Sequence, residues 1–278
     1  VLRVCTLVVV IGSACGDSGL SGSITLVAAD GFTEGANGSS VFGQGADVLA
    51  GFYAAPPADG IQFDQVGPCE IAHNPAPHPP SRATTTYRFY SAGKIEITGG
   101  TRAIVVMPNV TAGIGAVVGS YDEVDVQGPL FSGGETLAVH ASGDGGLGRP
   151  GFPAFTSTLV MPPKLTITAP AKQGLVIDRT QDFTVTWTPV GDQQLKIELM
   201  QPIIFGPSVD VVCSFLSSDG AGTIPAAALA ALPSNGIFNA WSSTLAERGV
   251  DGGTIYVSAI FRTVWPDDTI VNAQFELK

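Results

Sequence analysis

Cysteine, histidine and glutamate come together at one place in this sequence, Cys69, Glu70, His73 and His78, and two imidazoles with a thiolate are ligands that suit copper or zinc. Two of the chain's 3 histidines lie there. Pro75 and Pro77 stand between them and hold that backbone extended, and the spacing is not that of a closed structural site. Exposed loop histidines are therefore expected, with no metal and no other cofactor; Cys69, His73 and His78 are the residues that would hold a metal if one were bound. The third, His140, shares parity with Thr136 and Ala138 and opposes Leu137 and Val139, which turns it to solvent. Carboxylates gather at Asp122, Glu123 and Asp125, and again at Asp267 and Asp268 after Pro266. Calcium would need oxygens converging from separate segments, and neither group has the spacing of a helix-loop-helix calcium loop, so both read as solvated turns. A glycosidase pair is set by the fold and not by spacing, and no two carboxylates stand out, so no catalytic residue is assigned.

Two glycine-bearing motifs need their context. Gly16-Asp17-Ser18-Gly19 resembles the nucleophile motif of trypsin-like serine proteases, whose serine requires a histidine base and a buried aspartate. No histidine precedes it, and a flexible Gly/Ser segment cannot preorganise an oxyanion hole, so a protease is not expected. Gly143-Asp144-Gly145-Gly146-Leu147-Gly148 has the glycine pattern of a dinucleotide site and follows a strand-like run. The helix that must come next to meet a pyrophosphate is replaced by Arg149-Pro150-Gly151, so a turn is expected.

The 278 residues carry a formal net charge of -11 with no basic run or stripe, which excludes nucleic acid as a partner. Charged residues are only 13%, against about 25% in ordinary domains, and 35 Gly and 20 Pro punctuate short clusters of Val, Ile and Thr. That is the composition of turns between strands.

At the N-terminus, Val1-Leu2-Arg3, the apolar run Val4 to Ile11 and the small residues Gly12-Ser13-Ala14 before Cys15 have the layout of a secretory signal, and the apolar run is too short for a stable bilayer span. Ile11-Gly12-Ser13-Ala14-Cys15 resembles the lipobox of bacterial lipoproteins, with Gly12 in the place usually held by Leu. The resemblance implies lipidation of Cys15 and attachment to the membrane through that lipid; Gly16 rather than Asp in the next position implies sorting to the outer membrane. A signal over 1–14, a lipidated tether over 15–23 and an exported body in the cell envelope are expected.

The body reads as all-β, two antiparallel β-sandwich domains over 24–160 and 165–278 joined by a Met161 to Lys164 linker with two prolines, and one short helix in the second. Strands are expected at Ile24 to Ala28, Val48 to Tyr53, Ala103 to Met107, Val124 to Val126, Thr136 to Ala141 and Phe155 to Leu159. Thr85 to Tyr90 and Lys94 to Thr98 read as a hairpin, and the Pro-rich stretch Ala54 to Arg82 as a long loop. Asp182 to Pro189 and Leu195 to Leu199 alternate apolar and polar residues and are expected to pair, with Trp187 buried against strands holding Ile197 and Tyr256. Thr223 to Pro233 reads as a helix of about two turns, with Leu229 and Leu232 covering one end of the sandwich.

The run ending Trp187-Thr188-Pro189, with Thr254 to Ala259 as a penultimate strand, resembles immunoglobulin-like and fibronectin type III sandwiches over Leu165 to Lys278. Cys69 and Cys213 remain once the leader is gone. An oxidising compartment favours a bridge, but the two stand on opposite sides of the Met161 to Lys164 stretch, so unpaired thiols are expected. The functional expectation is a non-catalytic structural, adhesion or binding module with a protein or glycan partner; the alternatives are a hydrolase acting on envelope or environmental polymers and a metal carrier built on the Cys69 to His78 loop.

Overall fold

The computed structural model describes residues 20–34, 40–54, 62–74, 90–109, 120–122, 124–144, 151–201, 208–250 and 253–278. These form an all-β protein with several antiparallel sheets. The largest of them has 11 strands. Its main path joins β3 (Gln62–Val66), β4 (Cys69–Asn74), β14 (Ser208–Leu216), β13 (Gln194–Met200), β16 (Asn235–Val250), β17 (Gly253–Arg262), β1 (Leu20–Glu34), β2 (Ser40–Ala54) and β7 (Val124–Gln127) in that order. The long β16 changes partner along its length: residues 241–250 pair β17, while 235–239 pair β18 (Asn272–Leu277), beyond which β11 (Leu175–Ile177) adds in parallel.

Two smaller sheets pack on this large one. The first, β6 (Ile104–Val106), β5 (Ile95–Thr98), β8 (Thr136–Ala141) and β9 (Phe155–Val160), shares a core with β1, β2 and β17, where Phe52, Phe152 and Phe155 lie in mutual ring contact. The second, β10 (Ile167–Ala169), β12 (Phe183–Trp187) and β15 (Ala221–Ile224), shares a core with β4, β13, β14, β16 and β18. On β16 the residues that meet the second core, Phe238 and Ala240, and those that meet the first, Ala246 and Val250, are all even-numbered. With a strand period of two, both cores therefore lie on one face of the large sheet. Its other face carries polar side chains together with the buried Trp241 and Ile260.

The two cores do not map onto the two sides of Met161 to Lys164. The first takes Ile255, Val257, Ala259 and Phe261 from beyond that stretch, and the second takes Cys69 and Ile71 from before it. The stretch itself is held: Met161 and Leu165 are fully buried, the Ser242 hydroxyl donates to the Pro163 carbonyl, and Lys164 makes ion pairs with Asp30 and Asp268.

Most strands fall where alternation placed them, and β8 spans Thr136–Ala141 with Leu137, Val139 and Ala141 buried. Four expectations are corrected. Asp182 to Pro189 and Leu195 to Leu199 do not pair: β12 bonds to β10 and β15, whereas β13 bonds to β14 and β16, so the two strands sit in facing sheets. An alternating apolar face is satisfied as well by packing across a core as by lying beside a neighbour. The Ala54 to Arg82 stretch is not loop throughout, because 62–66 and 69–74 form the β3–β4 hairpin around Gly67, whose φ of 58 suits the turn. Thr223 to Pro233 yields only one helical turn, α1 (Ala226–Leu229): Thr223 and Ile224 are held in β15 by Thr184 and Phe183, and Asp182 caps the Ala226 N–H. Leu229 and Leu232 are buried as expected.

The fourth correction is the disulfide. Cys69 and Cys213 are bonded, not free. They oppose each other in the β4–β14 ladder, with Cα atoms 3.9 Å apart. The sequence distance that argued against the bond is erased because the β3–β4 hairpin crosses to the sheet of the second core. Trp187 is buried in that core with Ile197, its indole N–H donating to the Ser217 carbonyl at 2.8 Å and its ring 5.9 Å from Phe215. Tyr256 is not its neighbour in that core; β17 places Ile255 and Val257 in the first core and Tyr256 on the opposite, half-buried side. Thr85 to Arg88 lie outside the described residues, and β5 pairs β6 and β8.

Candidate functional site

The face of the large sheet turned away from both cores carries two features: a buried polar cluster and an open cleft. The cluster follows from register. Glu198 opposes Asn239, Lys196 opposes Trp241 on one side and Ser214 on the other, Met200 opposes Asp210, and Trp241 opposes Arg262. Asn239 is only 6% exposed and donates through Nδ2 to Glu198 Oε2 at 2.9 Å; Lys196 Nζ donates to Ser214 Oγ at 2.5 Å. Burial pushes the Glu198 carboxyl above the usual range, with the Asn239 bond opposing, Asp210 adding and Arg262 opposing. Burial likewise lowers the Lys196 ammonium, against the pull of Glu70. Beside the cluster, Val27, Asn239, Trp241, Ile260 and Arg262 border a cavity of about 30 Å³, room for water and not for a sugar ring.

The raised Glu198 sets a pH dependence. A carboxyl that holds its proton more tightly folded than unfolded stabilises the fold at low pH, and that contribution is lost as pH rises from the ordinary glutamate value, about 4.3, through the raised one. Asp178 and Asp267, held low mainly by hydrogen bonds from Thr180 and Thr269, act in the opposite sense, so the comparison with a variant is the quantity to read. Urea unfolding across that window should show the decline reduced in Glu198→Gln; identical pH profiles in both proteins would place this carboxylate in water.

The cleft, about 510 Å³, lies across β11, β18 and β16. Strand alternation decides what it presents. Leu175 and Phe275 send their side chains into the second core and show the cleft only backbone, while Val176, Asn235, Ile237, Gln274 and Glu276 face it with side chains. Gly236 permits the packing beneath, since a Cβ there would come within 2.5 Å of the Phe275 ring and of the Met200 carbonyl oxygen. At the rim Gly174, with φ of 62, turns the chain into β11. Among the described residues the lining thus combines two amides, one carboxylate and two aliphatic side chains, with no basic group.

The residues singled out by sequence fall elsewhere. Cys69 is consumed by its disulfide, so no thiolate is available there, and Glu70 projects to the other side of β4 and is exposed, whereas Cys69 is buried. His73 Nε2 pairs with Asp64 Oδ2 at 3.0 Å across the β3–β4 hairpin. His78 lies outside the described residues, among which no group of three His, Cys, Asp or Glu could hold a metal. His140 is exposed, as its parity requires. Asp122 accepts from Asn109 and Asp125 from Gln127; Asp267 and Asp268 face Lys172 and Lys164. Glu123 lies outside the described residues. Gly143 takes a positive φ of 75 in a turn after β8, and 145–148 lie outside, as do the Gly16 to Gly19 motif and Cys15. Among the described residues no helix is long and apolar enough to cross a membrane.

No family profile matches the chain, and no curated protein matches its sequence. Lys196 and Glu198 could be read from the alternation of β13, but neither their burial nor the cleft residues had a local signal, because the cleft needs the parallel β11–β18 pair, formed by segments about a hundred residues apart.

Proposed function

We propose that this chain is an exported, lipid-anchored envelope protein that works as a non-catalytic binding module, with the cleft on β11, β18 and β16 as its ligand site. The observation that carries the reading is the cleft itself: its volume of about 510 Å³ falls in the range of small-ligand sites, roughly 300–1,000 Å³, and it combines aliphatic surface with a few convergent polar groups. Among the described residues its lining holds one carboxylate, Glu276, and acid–base hydrolysis of a glycosidic bond calls for two. The lipobox-like Ile11 to Cys15 supplies the anchor, with the acyl-bearing Cys15 at the head of a short Gly/Ser tether and the outer membrane as destination.

The second core supports the immunoglobulin-like or fibronectin type III-like reading. Its facing sheets, β10-β12-β15 and β14-β13-β16-β18, follow the order A-B-E against C′-C-F-G, and Trp187 closes the second strand. On that reading β17 is an excursion between the last two strands, which carries the sheet into the first core, and β16 takes the penultimate place that Thr254 to Ala259 suggested.

A hydrolase is the second reading, favoured by one observation: Glu198, raised by burial, beside Asp210 on the same face. The small cavity next to them argues for a structural network instead. The test of the binding reading is an amide NMR titration of the full chain with millimolar cellohexaose, maltohexaose, trialanine and citrate. Shifts at 174–176, 235–237 and 274–276 with at least one probe are expected; silence at those residues with all four contradicts it.

A further inference from the structure

We infer that the ligand of this cleft is a neutral saccharide, an inference that rests on the cleft being the binding site. The ladder sets Asn235, Glu276 and Val176 in one cross-strand row and Ile237 with Gln274 in the next. Neighbouring strands lie about 4.8 Å apart and alternate residues about 6.8 Å, so one ligand of about the width of a sugar ring can span these groups. Each amide donates and accepts at once and the carboxylate accepts, which matches hydroxyls that do both. Val176, 42% exposed, and Ile237 offer aliphatic surface to the C–H side of a ring.

The other ligand classes fit less well. An anion finds no Lys or Arg among the described residues of the lining, within a chain of net charge -11. A divalent cation needs more oxygens than one carboxylate and two amide carbonyls provide. A purely apolar ligand would strip water from Asn235, Gln274 and Glu276 without replacing its hydrogen bonds. An extended peptide is recognised through its main chain at a free sheet edge, and here the polar side chains of the cleft, Asn235, Gln274 and Glu276, stand on β16 and β18, which lie inside the sheet and not on its β11 edge. What remains available is side chains, and side chains that suit hydroxyls.

The test uses the same four probes with two variants of the full chain, Gln274→Ala and, as a remote control, His140→Ala, both at exposed positions. At least one of cellohexaose and maltohexaose should shift the amides at 174–176, 235–237 and 274–276, with affinity about tenfold weaker in Gln274→Ala and unchanged in His140→Ala. Saccharide shifts confined to other surfaces, or an affinity that Gln274→Ala leaves intact, overturn the inference. Shifts at the cleft from trialanine or citrate alone overturn the saccharide class while the cleft stands as a binding site; no cleft shift from any probe overturns both.

Discussion

Reduction of the Cys69–Cys213 bond should destabilise the protein by about 5 kcal/mol, because the bond closes a loop with a sequence separation of 144 and its loss returns that loop's entropy to the unfolded chain. In a protein of this size the midpoint of thermal unfolding would fall by about 10–20 °C. The effect is large because the bond does more than close a hairpin: it ties β4, which lies in sequence between the first core's β2 and β5, to β14 in the sheet of the second. Ile71 still packs in that core without the bond, so the hairpin is weakened and not released by geometry alone. The thermal midpoint measured with a phosphine reductant should lie below that measured without it and agree with that of Cys213→Ala measured without it. Unfolding midpoints that ignore the reductant would mean that the cysteines are not joined.

Trp187→Ala should cost about 3–5 kcal/mol, the range for emptying a large aromatic site in a core. Trp187 is 3% exposed, and its removal opens a void between β12 and the sheet of β13 and β14. It also takes away the N–H that satisfies the Ser217 carbonyl, and Ser217 is itself fully buried. Trp187→Phe retains most of the volume and loses the hydrogen bond, so it should fall between the wild type and Ala. A loss below about 1 kcal/mol in the Ala variant, by urea unfolding, would put the indole at the surface.

These two sites differ in how far the sequence discloses them. Trp187 is legible because burial on a strand is a local, period-two property: Val185 and Trp187 are buried on one side and Thr184 and Thr186 are more exposed on the other. Pairing is not local. Nothing within Asp182 to Leu199 distinguishes strands that lie side by side from strands that face each other, and nothing around Cys69 says that its hairpin will cross to β14. The same limit hides the cleft. Asn235, Gln274 and Glu276 look like ordinary exposed polar residues until β18 is laid between β16 and β11. Glu198 is hidden differently: its place on the polar face follows from alternation, but the burial that raises its carboxyl comes from neighbouring strands and not from its own. Cys69 and His73, named with His78 as the residues that would hold a metal if one were bound, are near in sequence, but the fold spends Cys69 on a bond and His73 on Asp64.

The proposal that this chain is exported and lipid-tethered, with a scaffold locked by the Cys69–Cys213 bond, joins two chemical modifications that can be read together. Mass spectrometry of peptides from the protein taken out of its own envelope fraction, digested without reductant after blocking free thiols, tests it most directly. The account predicts an N-terminal peptide beginning at an acylated Cys15 and a linked pair of peptides carrying Cys69 and Cys213. A retained Val4 to Ile11 segment with unmodified Cys15, together with blocked, unlinked Cys69 and Cys213, would contradict it.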